Sequence, residues 1–339
     1  MTLAEIREAA RERLSGSCRV CRVCDGRTCR GEVPGFGGVG TGASFVNNVA
    51  ALASLKLNMR VLHEAGDPDT GFMFFGRRLA FPILGAPVAG VKVNRLGALT
   101  EFELADAMIC GPALAGSIGT GGDGGDPQVL DSGLQVIKRL ASSGGGMVIL
   151  KPRVQEEIVK RMKRVEEAGA VAVGVDVDAA AFINMTLTGQ KVEPKSPAMI
   201  AELVDSTSLP FVVKGVMTVD EAEVVAEAGA AAIVVSNHGG RVLDHTPGTA
   251  DVLPAISRAV RGRTLVLADG GVRSGADVLK MLALGADAVL VGRPLAVAAV
   301  GGGVDGVKAQ MEQLGSELRT AMIMTGCASL TDVGPGVLV

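Results

Sequence analysis

Short apolar runs recur along this chain from Phe81 onward, each followed by a stretch whose apolar positions fall at helical spacing. The runs are FPILGAPVAG from Phe81, DAMICGPA from Asp106, GGMVILKPR from Gly145, AVAVGVDVD from Ala170, PFVVKGV from Pro210, AAIVVSN from Ala231, TLVLADGG from Thr264 and AVLVGRP from Ala288. Between them lie patterns such as TVDEAEVVAEAGA, which predict helices. Strands alternating with helices argue for parallel strands joined by crossovers. Eight such units predict a (β/α)8 barrel, whose chemistry sits on the loops after the C-terminal strand ends. The expected organisation is an N-terminal extension over residues 1–48, followed by a barrel over 49–339.

The extension has three parts. MTLAEIREAARERLSGS carries acids and bases at helical spacing and lacks the apolar stretch and cleavage site of a secretory signal, so a cytoplasmic location is expected. Next comes SCRVCRVCDGRTCRG, with Cys18, Cys21, Cys24 and Cys29. Clustered cysteines in such a setting bind metal or do redox chemistry more often than they form a disulfide framework. Three readings stay open: four thiolates holding an iron–sulfur cluster, the same four holding zinc, or free thiols that switch. A cluster would pass electrons to an acceptor protein. The glycine-rich EVPGFGGVGTGASFVNN, Glu32 to Asn48, either folds over the barrel mouth or forms a surface loop. Cys110 and Cys327 lie in apolar surroundings and are expected in the core.

Composition narrows the function classes. The formal net charge of −3 and the absence of a basic tract or aromatic platform exclude the footprint of a nucleic-acid binder. No apolar run reaches the ~20 residues of a membrane-spanning helix.

The strand ends carry the candidate chemistry. In chain order they offer Pro87, Gly111, Lys151, Asp176, Lys214, His238, Asp269 with Gly270 and Gly271, and Gly292 with Arg293. So many charges on one rim are costly to desolvate unless each has a partner, which favours a functional site. Glycine backbone N–H groups near a helix N-terminus also suit a phosphate.

From Pro210 to Ser329 the chain resembles the FMN-dependent α-hydroxy-acid oxidase and dehydrogenase family, which includes glycolate oxidase and lactate dehydrogenases of the flavocytochrome type. The resemblance rests on VVKGV, SNHGGRVLD, DGGVRSGADVLKMLALGADAVLVGRP and ELRTAMIMTGC. It implies that His238 is the base, that Arg241 holds the substrate carboxylate, and that Asp176 pairs with the histidine. Lys214 would sit beside the flavin ring, with Asp269 on the ribityl chain. Gly270, Gly271, Arg273, Gly292 and Arg293 would cradle the phosphate, and Pro87, Gly111 and Lys151 would complete the FMN site.

Two departures bear on the substrate. The chain has no tyrosine, whereas the family pattern places two near the substrate, and the family's second carboxylate-binding arginine is missing from VDVDAAAFINMTLTGQK. Lys151 either replaces part of that anchoring or neutralises Asp176. The resulting expectation is an FMN-dependent enzyme that oxidises a 2-hydroxy acid to the 2-keto acid, passing electrons to oxygen or another acceptor, and assembling as a homotetramer as the family commonly does. The alternatives are a non-redox flavin barrel similar to type 2 isopentenyl diphosphate isomerase, and a metal- or redox-sensing binding protein.

Overall fold

Val, Ile, Leu and Ala crowd the apolar runs because parallel barrel strands are covered on both faces. In the computed structural model, which describes residues 1–97, 99–142 and 145–339, seven of the eight runs form barrel strands. A small antiparallel hairpin, β1 (Phe72–Phe74) and β2 (Arg77–Leu79), precedes the barrel. The barrel strands are β3 (Ile83–Gly85), β4 (Thr120–Gly121), β5 (Met147–Leu150), β6 (Ala172–Asp176), β7 (Phe211–Val216), β8 (Ala232–Val235), β9 (Leu265–Ala268) and β10 (Ala288–Val291). They pair in parallel in the order β3-β10-β9-β8-β7-β6-β5-β4. The remaining seam is bridged where the Gly85 N–H donates to the Ile118 carbonyl at 2.9 Å.

The period of two along each strand divides the core. Leu84, Ile149, Val212, Val234, Leu267 and Leu290 belong to one cluster inside the barrel, while Ile83, Val148, Val173, Val213, Ile233 and Val289 join the larger cluster beneath the helices. Buried aliphatic side chains of this size each contribute roughly 1.5–3 kcal/mol.

The eighth run corrects an expectation. DAMICGPA lies within the helix Glu101–Leu114, so Gly111 is not at a strand end and does not reach the cavity described below. A Cβ on Gly111 would meet Val307 Cβ at 2.5 Å, so the glycine serves helix packing. Periodicity alone cannot separate a short buried helix segment from a strand. The capping box formed by Thr100 and Glu103 marks the true helix start. The second barrel strand is instead the two-residue β4, in glycine-rich sequence with no apolar run of its own.

The N-terminal helix Leu3–Arg13 starts with a capping box between Thr2 and Glu5 and buries Ile6 and Ala10. It packs on the long helical stretch Arg293–Thr325, which is broken at Gly303. A side chain at Gly301 would run into the Ile6 carbonyl, so this contact requires glycine. Helix Ala43–Ser54 runs through residue 48, where the extension was expected to end. No helix among the described residues is long and apolar enough to cross a membrane.

Candidate active site

The C-terminal strand ends surround a cavity of ≈ 800 Å³, a size suited to a small-molecule or cofactor site. Pro87, Lys151, Asp176, Lys214, His238, Arg241, Asp269, Gly270, Gly271, Arg273, Gly292 and Arg293 all line it. Pro34, Gly35 and Phe36 line it too, so the glycine-rich N-terminal stretch forms part of the wall.

Local sequence explains how β8 presents its loop. His238, Gly239 and Gly240 follow one another with φ of +58°, +63° and +76°. A left-handed histidine costs roughly 1–2 kcal/mol, offset here by its N–H donating to Ser236 Oγ at 3.1 Å. The left-handed backbone favours glycine at both following positions, and close approach of backbone requires it at Gly240. A Cβ at Gly239 would lie 2.6 Å from Arg293 Nη1, and one at Gly240 would strike the Phe45 backbone. Asn48, buried in helix Ala43–Ser54, donates to Asn237 Oδ1 at 2.8 Å and so anchors the residue before His238. The same Asn48 presses on Gly270 and Gly271, which are left-handed and could carry no side chain there.

A buried charge network fills the barrel end. Asp176 Oδ2 accepts from Lys151 Nζ at 2.6 Å, and its Oδ1 accepts from Lys214 Nζ at 3.2 Å. Lys214 also lies 3.9 Å from Asp178 and 3.7 Å from Asp269, and donates to Ser236 Oγ at 3.0 Å. Burial opposes ionisation of Asp176, yet His238, Lys151 and Lys214 hold its carboxyl well below the usual range. Burial likewise works against the Lys214 ammonium, and Asp176, Asp178 and Asp269 overcome it, raising its pKa above the ordinary lysine value. Lys151 therefore neutralises Asp176, which was one of the two roles open to it.

His238 Nδ1 lies 2.8 Å from Asp178 Oδ1 and 3.5 Å from Asp176 Oδ2. Asp178 was absent from the sequence-based set, and it makes the shorter contact. Burial and then the neighbouring Asp176 push its carboxyl up to about 6. Phe182 packs against the imidazole with ring centroids 4.7 Å apart.

Arg241, Arg273 and Arg293, which all line the cavity, have no carboxylate partner among the described residues. Arg241 donates through Nη2 to Asn94 Oδ1 at 2.6 Å and lies over the Phe182 ring, while its Nε is buried with no partner. Burial pushes its pKa down to about 10. Arg293 donates to the Phe36 and Gly37 carbonyls at 2.7 and 3.0 Å, and burial, then Arg273 nearby, lower it to about 9. Arg273 donates to the Cys24 carbonyl at 3.1 Å and keeps a buried Nη2 without a partner. Two adjacent half-buried guanidiniums facing a cavity make a site for a multiply charged anion. Asn94, Phe182 and Asn184 also line the cavity and were not singled out from sequence. Asn94 accepts from both Arg241 and Asn184, a role that no local motif marks.

The four N-terminal cysteines carry free thiols. Among the described residues, the only three His, Cys, Asp or Glu side chains with ligand atoms within 4.8 Å of one another are Asp176, Asp178 and His238. The cysteine sulfurs are therefore not drawn together as tightly as thiolates sharing one zinc ion, although Cys18 interacts electrostatically with Cys21 and Cys24, and Cys29 with Cys18 and Cys24. The backbone of their segment is engaged elsewhere, the Cys24 carbonyl with Arg273 and the Cys21 carbonyl with Arg7.

This architecture has close counterparts. The FMN-dependent dehydrogenase family matches residues 36–198 and 185–339. A 4-hydroxymandelate oxidase from Amycolatopsis orientalis is 33% identical over 97% of this chain and 96% of its own length. Human 2-hydroxyacid oxidase 1 is 32% identical over 85% of this chain and 86% of its length. The crystal structure of mandelate oxidase with (S)-2-phenylpropionate superposes with a TM-score of 0.78 at 32% identity, covering 100% of this chain and 97% of that one. The chain thus belongs to the FMN-dependent dehydrogenase family.

Proposed function

We propose that this chain binds FMN in the barrel-end cavity and oxidises a 2-hydroxy acid to the 2-keto acid. The observation that carries the reading is Arg241, a half-buried guanidinium whose Nε is buried and unpaired and which has no carboxylate partner among the described residues, beside a histidine already held by aspartate. A substrate carboxylate would supply the missing charge and accept two parallel hydrogen bonds. The relatives named above are oxidases of hydroxy acids, which supports the same reaction here.

The donor set fits FMN. Arg273 and Arg293 offer positive charge and an unused N–H where a phosphate dianion would sit. The buried Asp269 Oδ1 has no partner and suits the ribityl hydroxyls. The ammonium of Lys214, fixed by three carboxylates, suits the side of the ring on which negative charge develops. When bound, the flavin ring supplies a two-electron acceptor.

The protein's own part is positioning and proton transfer. Arg241 and Asn94 orient the substrate so that its α-carbon faces the acceptor. With Nδ1–H directed at aspartate, His238 Nε2 is free to take a proton from the substrate. The substrate gives up two electrons and two protons in all: His238 takes one proton, and the two electrons and the other proton would go to the flavin when bound. Phe182 and Phe36 shield the reacting groups from water.

The test is anaerobic absorbance of the FMN-loaded protein titrated with a panel of 2-hydroxy acids. Bleaching of the flavin bands by one of them, lost in His238→Gln, is the expected result. An FMN-loaded protein that no such acid reduces would overturn the reading.

A further inference from the structure

Two carboxylates from one strand end approach the same imidazole, and they are not equivalent. Asp176 already accepts from Lys151 at 2.6 Å and from Lys214 at 3.2 Å, and stands 3.5 Å from His238 Nδ1. Asp178 stands 2.8 Å from that nitrogen. Its nearest ammonium is 3.9 Å away, and its other oxygen, Oδ2, is buried without a hydrogen-bond partner.

We propose that Asp178, and not Asp176, is the positioning residue of the histidine: it accepts the Nδ1–H and leaves Nε2 bare, while Asp176 serves to bridge the two lysines. This rests on the reading of His238 as the base. A carboxylate that fixes one ring nitrogen as a donor selects the tautomer whose other nitrogen accepts a proton, and stabilises the imidazolium once it forms.

The fold makes room for Asp178 by a specific device. The 3-10 turn Val177–Ala181 carries it back over the end of β7. There the β7–β8 register shifts between Lys214 and Val216, leaving Gly215 at φ +105°. A Cβ on Gly215 would lie 2.6 Å from Asp178 Cβ and Cγ. The bulge therefore turns the strand so that Lys214 faces the network, and its glycine leaves space for the second aspartate. Phe182 closes the remaining side of the ring.

Electrostatics distinguish the two carboxylates. The charged groups around the imidazole are Asp176 from β6, Asp178 from the turn, Lys151 from just past β5, Lys214 from β7, Asp269 from the end of β9 and Arg241 from the β8 loop. Asp176 is held ionised by His238 and by the two ammonium groups, whereas Asp178 is pushed up to about 6 by burial and by Asp176. Asp178 is thus a charged acceptor above that pH and loses its charge below it. The acceptor nearest Nδ1 is the one whose protonation changes closest to neutrality.

The chain has three histidines, His63, His238 and His245, so isotope-labelled ring nitrogens of the FMN-loaded protein resolve His238 directly. The expected spectrum has the proton on Nδ1, hydrogen-bonded to a carboxylate; Asp178→Asn should shift the Nδ1 resonance as that hydrogen bond weakens, and Asp176→Asn should shift it less. Turnover with a reducing acid should fall roughly 100-fold in Asp178→Asn with FMN retained. An Nδ1 resonance shifted as far or farther by Asp176→Asn, or left unchanged by Asp178→Asn, would overturn the assignment. If no acid reduces the flavin, the proposed reaction fails, yet the Nδ1 resonance still decides the role of Asp178.

Discussion

Replacing Arg241 by lysine keeps the charge and removes the fork. In the structure Nη2 donates to Asn94, Nε is buried and unpaired, and the guanidinium plane lies 5.0 Å from the centre of the Phe182 ring. A bound carboxylate would take two of the remaining N–H groups. An ammonium on a shorter-reaching, non-planar head can serve the carboxylate or Asn94 well, but not both. Loss of one charge-assisted hydrogen bond costs ~1.5–3 kcal/mol, and weakened contact with Phe182 adds ~0.5–1 kcal/mol. Together they imply a fall in kcat/KM of roughly 100-fold. Folding stability should change little. Arg241 is desolvated without a counter-charge at hydrogen-bonding distance, so the substitution relieves part of one cost while it creates another. The assay is rapid-mixing flavin reduction across acid concentrations, beside an FMN titration and thermal unfolding. A kcat/KM within fivefold of the parent, or a matching loss of FMN affinity, would refute the assignment of Arg241 to the substrate carboxylate.

Two further outcomes follow from other parts of the site. Arg273→Gln removes one of two adjacent half-buried guanidiniums and should weaken FMN binding by about 10- to 100-fold, read by flavin fluorescence titration; unchanged affinity would exclude Arg273 from the phosphate cradle. Asp244 accepts from the Thr41 N–H at 2.5 Å and hydroxyl at 2.8 Å, tying the N-terminal stretch to the β8 loop. Despite burial, these hydrogen bonds lower its carboxyl to about 2. A depressed carboxylate contributes stability that is present above its unfolded pKa and is lost as pH falls through the folded one. The parent should therefore lose more stability than Asp244→Asn between roughly pH 4 and pH 2, and parallel acid-unfolding curves would contradict the tie.

Sequence alone determined the barrel and most of its rim. Seven strands were legible because a strand buried on both faces must be a near-continuous apolar run, and the polar residue that ends each run must sit at the strand's C-terminal edge. That is why Lys151, Asp176, Lys214, His238, Asp269 and Arg293 all line one cavity. Gly111 was misplaced because the part of the helix from Ala107 to Pro112, packed against the stretch Arg293–Thr325, is a continuous buried run like a strand. The two-residue β4 escaped because hydrogen bonds to β5, not side chains, define it. Tertiary structure alone decided which charges pair. Asp176 and Asp178 are two residues apart, and no local pattern tells which of them meets His238, 60 residues on. The choice is made by a bulge at Gly215 on a third segment and by Lys151 on a fourth, which occupies Asp176 first. Nor does cysteine spacing reveal that the segment's carbonyls accept from Arg7 and from Arg273, the latter 249 residues on. Strand propensity and burial act locally and can be read along the chain. Pairing of buried charges depends on distances between segments far apart in sequence, and only packing sets those.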